Sequence, residues 1–309
     1  MVFWVKLPQI FLALILLLQA CGGSGGSSES LNTSLDTDTN PTSAAPSATR
    51  LFWGSGDSQF GILHLPGGIA KPVATVLMIH GGCWGSPFTY QLQTPLSEEL
   101  ARRGYAVWNI EFRRLGNGGA WPTIFQDVAA ASDHLKLLAN DYGYELDLDR
   151  VTAIGHSSGG HLALWVTSSR SLSADSVLYR PNPIFIRGVV PIAPVADLES
   201  PVCITAVPDL IGSDELDDDE LTKRLRETSP IDMLPTGVAS IVISGEYDGV
   251  APPSITQPYI DAALNAGDLS EHIILNNADH FDVINPDFLD MNLITDAIDQ
   301  VQARTGLPR

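Results

Sequence analysis

The sequence predicts an α/β protein built on one mostly parallel sheet, with helices on both faces. From Leu51 onward, short apolar runs alternate with longer amphipathic stretches, which is the order strand, helix, strand, helix. Runs such as "VATVLMIHGG" are almost entirely apolar before their glycines, as expected for strands buried on both sides. No linker interrupts this region, so we assign residues 50–309 to a single domain.

The individual strands and helices can be placed in chain order. The predicted strands are "FGILHLP", "VATVLMIHGG", "YAVWNIEF", "RVTAIGHS", "IRGVVPIA", "ASIVISG" and "EHIILNN". The predicted helices are "LSEELARRG", "WPTIFQDVAAASDHLKLLANDYG", "SGGHLALWVTSS", "PPSITQPYIDAALNAGD" and "PDFLDMNLITDAIDQVQARTG". Gly104 and Gly143 mark helix ends, and Pro122 falls in a first turn. Repeated units of this kind place successive strands side by side in parallel.

One segment, Asp197 to Met233, interrupts the alternation and is predicted to be a short acidic insertion over the sheet edge; a small lid is one hypothesis for it. Its acidic run, residues 214–220, has two interpretations. Carboxylates suit the positive end of a helix, which predicts a solvated helix start. A calcium site is the alternative. We favour the helix start and predict no metal.

The first 49 residues are predicted to lie outside the domain. Residues 1–20 read as a signal peptide, because their apolar run is too short for a comfortable membrane span. "LQAC" resembles a bacterial lipobox, which makes Cys21 the lipidated residue; ordinary secretion is the alternative. Residues 21–49 are rich in Gly, Ser and Thr and read as a flexible tether. Gly22 after the cysteine favours an outer-membrane anchor facing the periplasm.

Charge and cysteine content limit the partners. With 17 basic and 36 acidic residues, the formal net charge is −19, which argues against nucleic-acid binding and leaves the lipid anchor as the predicted contact with a membrane. Cys83 and Cys203 remain after Cys21. An oxidising compartment would permit a disulfide between them, but we expect two unlinked small buried side chains.

The stretch "GHSSGG", residues 155–160, carries the strongest chemical prediction. It matches G-x-S-x-G between a strand and a helix, which is the context of a nucleophile on a sharp turn. A serine hydroxyl is a weak nucleophile and needs a base with an orienting carboxylate behind it. Ser157 is therefore the predicted nucleophile.

The base and the acid should follow the serine in the order acid, then histidine. His280 lies in a loop after the last predicted strand and is the predicted base. Asp248 lies in the loop after "ASIVISG" and is the predicted acid, with Glu246 and Asp197 as alternatives. His161, one helical turn after Ser157, is expected to pack or to support the site.

The oxyanion of an acyl-transfer intermediate needs two backbone donors. The N–H of Ser158, directly after the nucleophile, is one candidate. The second should come from the loop "HGGCW", where Gly82 and Cys83 are the candidates.

Together, "HGGCW", "GHSSGGHLAL", "SGEYDGVAP" and "ADHF" resemble the α/β-hydrolase superfamily, in particular the arylformamidase-like and feruloyl-esterase-like serine hydrolases. The resemblance covers the region from Leu51 to the end. It implies the α/β-hydrolase fold, the triad Ser157, Asp248 and His280, an acyl-enzyme intermediate, and no metal or other cofactor.

The substrate class stays open at this stage. The resemblance implies a small-molecule substrate, either a carboxylic ester or the formamide of N-formylkynurenine. The predicted export favours an ester. A tethered binding protein without catalysis is a third hypothesis. Trp84 and Trp121 could line an apolar acyl or aryl pocket, or could simply pack in the core.

Overall fold

The structure is a computed structural model that describes residues 45–68, 71–214 and 216–304. The predicted signal peptide, Cys21 and the greater part of the predicted tether lie outside the described residues. Within the described ranges, no helix is long and apolar enough to cross a membrane.

Among the described residues, eight strands form one sheet. They are β1 (Ser47–Phe52), β2 (Phe60–Leu65), β3 (Val73–Ile79), β4 (Ala106–Ile110), β5 (Leu146–His156), β6 (Gly188–Ile192), β7 (Ala239–Gly245) and β8 (Ser270–Leu275). Their spatial order is β1-β2-β4-β3-β5-β6-β7-β8. The pairs β1–β2 and β2–β4 are antiparallel, and the remaining five pairings are parallel. The predicted α/β fold with a mostly parallel sheet is confirmed.

In the part of the chain that the structure describes, seven α-helices connect and cover the strands. They are α1 (Thr94–Arg102), α2 (Thr123–Asn140), α3 (Ser158–Ser168), α4 (Val207–Ile211), α5 (Asp218–Thr228), α6 (Pro253–Ala266) and α7 (Met291–Ala303). Every residue of β4, β6 and β7 is buried, because helices cover both faces of the central strands. Helix α3 is also buried at every position, which explains why "HLALWV" has no polar face.

The first strand was not predicted. β1 is mostly exposed and pairs with β2 at the sheet edge, so its sequence "SATRLF" lacks the apolar alternation that identifies a half-buried strand. The Arg50 guanidinium lies 3.5 Å from the centre of the Phe60 ring and fastens this strand to the sheet. The sheet therefore begins at Ser47, three residues inside the segment predicted as tether.

The predicted insertion lies between β6 and β7. It contains α4 and α5, flanked by short 3₁₀ helices at Ile204–Ala206 and Pro230–Met233. The acidic run contains the start of α5, where the Asp217 carboxylate accepts a hydrogen bond from the Glu220 N–H at 2.8 Å. This is the helix-start interpretation of the acidic residues. Among the described residues, no group of His, Cys, Asp and Glu side chains is arranged to hold a metal ion.

Candidate active site

The turn between β5 and α3 carries Ser157 in a strained conformation. Its φ of 55° and ψ of −122° lie outside the regions that a serine ordinarily occupies. A residue in such a conformation costs about 1–3 kcal/mol and persists only where the surroundings hold it. The Ser157 N–H donates to the Ile192 carbonyl at 2.8 Å, and its carbonyl accepts from the His161 N–H at 3.1 Å. Both backbone groups are therefore tied to neighbouring elements.

Close backbone packing explains two glycines of the motif. A Cβ on Gly155 would lie 2.1 Å from the Gly159 carbonyl oxygen, and a Cβ on Gly159 would lie 2.2 Å from the Ile79 carbonyl oxygen. Neither position has room for a side chain, because strand β5, helix α3 and the end of β3 meet there. The motif is thus a steric requirement of the turn that presents Ser157.

Asp248 and His280 form a directly hydrogen-bonded pair. The Nδ1–H of His280 donates to Asp248 Oδ2 at 2.7 Å, and the N–H groups of Val250 and Ala251 donate to Oδ1, each at 2.8 Å. Burial raises the pKa of the Asp248 carboxyl, but the hydrogen bonds from His280 and Ala251 lower it by more, so the net pKa lies below the ordinary value. The ionised carboxylate holds the His280 proton on Nδ1 and leaves Nε2 free to accept one.

His156 joins the nucleophile turn to the loop of the base. Its Nε2–H donates to the main-chain carbonyl of His280 at 2.8 Å, and the two rings lie 4.5 Å apart. Burial, together with the charge of His280, lowers the pKa of His156 to about 3, so its ring stays neutral. The Ser157 hydroxyl itself has no hydrogen-bond partner among the described residues.

The loop "HGGCW" lies beside the serine turn, as the motif predicts. A Cβ on Gly81 would lie 3.1 Å from Ser157 Cβ, so the loop approaches the nucleophile directly. The Trp84 N–H donates to Ser158 Oγ at 3.2 Å. The N–H groups of the three oxyanion-hole candidates donate to no acceptor among the described residues. These candidates are Gly82, Cys83 and Ser158.

The two cysteines of the domain are linked, and our expectation of unlinked side chains is wrong. Cys83 and Cys203 form a disulfide with Cα atoms 5.5 Å apart, across 120 residues of sequence. Both residues have positive φ, and Cys203 belongs to the insertion. The spacing in sequence gave no indication of pairing, because only the folded insertion brings Cys203 to the loop of Cys83. The even number of cysteines left after Cys21 was the usable indication.

The alternative acids have other partners. Glu246 Oε2 accepts from the Asn277 N–H at 2.9 Å, and Asp197 Oδ1 accepts from the Glu199 N–H at 2.8 Å. Asp248 is the carboxylate that contacts His280.

Two tryptophans that could have lined a pocket pack instead. Trp84 is only 2% exposed, and its indole N–H donates to His161 Nδ1 at 3.2 Å. Trp121 packs edge-on against Phe125 and beneath the Arg224 guanidinium. His161 completes a bridge, because its Nε2–H donates to the Thr228 carbonyl at 2.9 Å. Sequence reasoning predicted support or packing for His161 but missed this link between the loop and the insertion.

The fold and the arrangement of the serine turn, acid and base define an α/β-hydrolase-like protein. The family model described as BD-FAE matches residues 63–257, which is more than half of the chain. The chain therefore belongs to the BD-FAE family of α/β-hydrolase-like esterases, and it is a hydrolase that acts on carboxylic ester bonds. No curated protein matches the sequence.

Several solved structures share the fold. A truncated carbohydrate esterase from gut microbiota is 20% identical with a TM-score of 0.70, covering 85% of this chain and 98% of that chain. Esterase Est2 from Thermogutta terrifontis is 18% identical with a TM-score of 0.64, covering 85% and 94%. Esterase B from Lactobacillus rhamnosis, inhibited by a tributyrin phosphonate, is 20% identical with a TM-score of 0.68, covering 84% and 87%. At these identities, the likeness establishes the fold.

Proposed function

We propose that the chain is a serine esterase that cleaves carboxylic esters through an acyl-enzyme intermediate on Ser157. The observation that supports this most is the buried Asp248–His280 pair, whose loop is hydrogen-bonded to the turn that carries Ser157. A nucleophile, a base and an orienting acid on adjacent loops are the parts that acyl transfer needs.

The proposed reaction begins with attack on the ester. Ser157 Oγ attacks the carbonyl carbon while His280 Nε2 takes the hydroxyl proton, and Asp248 stabilises the imidazolium that forms. The N–H of Ser158 and that of Gly82 or Cys83 stabilise the oxyanion of the tetrahedral intermediate. His280 then gives its proton to the departing alcohol oxygen. Water, deprotonated by His280, hydrolyses the acyl-enzyme and regenerates the serine hydroxyl.

We further propose that the esterase acts outside the cytoplasm. Residues 1–20 would direct export, and lipidation of Cys21 would anchor the protein, with the outer membrane facing the periplasm as the proposed site. The Cys83–Cys203 disulfide agrees with an oxidising compartment. Mass spectrometry of the mature N-terminus tests this proposal: a diacylated or triacylated Cys21 supports it, and an unmodified residue at a different cleavage site contradicts it.

The experiment that tests the function compares wild type with Ser157→Ala. Substrates are short-chain p-nitrophenyl esters, a feruloyl ester, an acetylated sugar and N-formylkynurenine. We expect ester turnover in the wild type and a loss of about 10⁶-fold in kcat in Ser157→Ala, since the nucleophile is gone. Ser168→Ala is the matched control: it lies at the far end of helix α3, which follows Ser157, its hydroxyl donates to the Leu164 carbonyl, and it should retain activity.

Two results would change the assignment. Ester turnover that survives in Ser157→Ala contradicts the nucleophile. Selective turnover of N-formylkynurenine replaces the esterase proposal with the arylformamidase alternative.

A further inference from the structure

The loop that carries an oxyanion candidate has an unusual backbone. Three consecutive residues have positive φ: Gly82 at 117°, Cys83 at 47° and Trp84 at 58°. Cys83 and Trp84 pay a steric cost in this region, because they carry side chains that glycine lacks. Such a conformation persists only where contacts with neighbouring residues hold the backbone in place.

Hydrogen bonds hold the Trp84 side of this strained loop, and one of them runs from the Leu115 N–H to the Trp84 carbonyl at 2.9 Å. The Trp84 N–H donates to Ser158 Oγ, and the Trp84 indole N–H donates to His161 Nδ1. His161 in turn donates to the carbonyl of Thr228, at the end of the insertion helix α5. These contacts fix Trp84, the residue that follows the oxyanion candidate.

The disulfide is the link that acts on Cys83 itself. It joins Cys83 to Cys203, which has a φ of 54° and begins the short 3₁₀ helix before α4. Cys203 is half-buried and packs against the hydrophobic core, and Val202 and Val207, which flank it in sequence, are buried. The anchor of the strained loop is therefore a packed part of the insertion.

We propose that Cys203 is a positioning residue for the oxyanion hole: through its disulfide it holds the Cys83 backbone so that the loop's N–H groups face the developing oxyanion. This inference rests on the proposed esterase function. It makes the insertion, which no motif assigned to catalysis, part of the machinery that positions the oxyanion donors. It also makes turnover dependent on the oxidised state of the two cysteines.

The expected effect falls on kcat. Oxyanion donors act on charge that develops in the transition state, so a misplaced donor slows chemistry more than it weakens substrate binding. Removing one whole donor costs about 10²–10³-fold in kcat. A loosened loop should cost less, about 10- to 100-fold, with KM nearly unchanged.

The test compares oxidised wild type, wild type reduced by a phosphine, and Cys203→Ser. The phosphine converts the disulfide to two thiols and is itself oxidised to the phosphine oxide, with oxygen from water. Mass mapping of the peptides that contain Cys83 and Cys203 measures the extent of reduction. All assays run below the melting temperature of the least stable sample, because losing a disulfide across 120 residues also destabilises the fold.

Two readouts separate positioning from general stability. The first is kcat and KM for the best ester substrate. The second is hydrogen exchange at the amides of Trp84 and Gly85, whose N–H groups donate to Ser158 Oγ and to the Gly82 carbonyl; this measurement needs no substrate. We expect reduction and Cys203→Ser to lower kcat alike and to speed exchange at these amides, while the core strand β7 stays protected. Reductant should have no further effect on Cys203→Ser, which is the control for side reactions.

Each remaining outcome has a defined meaning. Unchanged kcat in folded Cys203→Ser overturns the proposal, whether or not the loop exchanges faster. A lower kcat with unchanged loop exchange also overturns it, because the effect then lies elsewhere. If oxidised wild type shows no Ser157-dependent turnover, the esterase proposal fails separately. Loop exchange then decides whether the disulfide holds the backbone: unchanged exchange contradicts that role, and faster exchange supports it.

Discussion

At the scale of single residues, the site depends on which atoms hold protons. Asp248 accepts three hydrogen bonds, one from His280 Nδ1 and two from backbone N–H groups. His156 uses its Nε2–H to hold the His280 carbonyl and remains neutral because it is buried. In the proposed mechanism the two imidazoles have different roles: His280 exchanges protons, and His156 holds the loop that carries His280.

Asp248→Asn tests the role of the acid. An amide can donate to Nδ1 and thereby favour the wrong tautomer of His280, so we expect kcat to fall about 10³–10⁴-fold while the fold is retained. Steady-state kinetics with the best ester substrate measures the effect. Glu246→Gln is the matched control, since Gln can still accept from the Asn277 N–H. An equal decrease in kcat in both variants would contradict the proposal that Asp248 is the acid that orients His280.

At the scale of elements, the end of β4 organises the loops around the site. Glu111, directly after β4, accepts hydrogen bonds from the N–H groups of Tyr90 and Phe112. Arg114 pairs with Glu111 and donates to the carbonyls of Ser86 and Phe88 in the loop that follows the oxyanion candidates. Both side chains are nearly fully buried. Glu111 and Arg114, which follow β4, therefore hold the loop that contains Ser86 and Phe88 through buried hydrogen bonds.

Arg114→Met tests this support. It removes the guanidinium from the buried Glu111 carboxylate, which keeps His80 Nε2 at 3.4 Å, so the free energy of unfolding should fall by about 3–5 kcal/mol. Arg114→Lys keeps the charge but cannot reproduce the planar fork, and should lose less. Urea unfolding at neutral pH measures both variants. Arg102→Met, from an exposed pair with Glu99, should cost no more than about 1 kcal/mol. Equal losses at Arg114 and Arg102 would contradict a buried supporting role.

At the scale of the whole molecule, buried histidines make the fold sensitive to acid. Burial lowers the pKa of His156 to about 3 and that of His161 to about 4. The unfolded chain binds protons at these side chains near pH 6.5, whereas the folded chain does not. The unfolded state therefore binds more protons below about pH 6.5, and stability falls as the pH falls. The lowered pKa of Asp248 adds a further loss below about pH 4.

The acid sensitivity predicts how steeply the free energy of unfolding decreases as the pH falls. Between about pH 6 and pH 4.5, each of these histidines should contribute up to about 1.4 kcal/mol per pH unit to the decrease in unfolding free energy. His156→Gln keeps an N–H for the His280 carbonyl but cannot titrate, so its slope should be smaller by one proton. Urea unfolding at several pH values measures the slope. His272→Gln, at a half-exposed position, should change it less. An unchanged slope in His156→Gln would refute the neutral buried state of that ring.

The sequence predicted the fold, and it singled out side chains that the structure brings together, for identifiable reasons. The strands of the central sheet are continuous apolar runs, and the serine turn has glycines that steric contact requires, so both leave local patterns. The edge strand β1 and the Cys83–Cys203 disulfide leave no local pattern. The first depends on an exposed pairing, and the second on how the insertion folds back. The bridge from Trp84 through His161 to Thr228 likewise joins three distant segments.

The measurement that tests the central claim most directly is covalent capture of the nucleophile. Wild type and Ser157→Ala would be incubated with a butyl p-nitrophenyl phosphonate, and the adduct would be located by intact-mass and peptide mass spectrometry. The account predicts one phosphonyl group per wild-type chain, on Ser157, with release of p-nitrophenol and no adduct in Ser157→Ala. An adduct on any other residue, or none on folded wild type that turns over esters, would contradict Ser157 as the nucleophile.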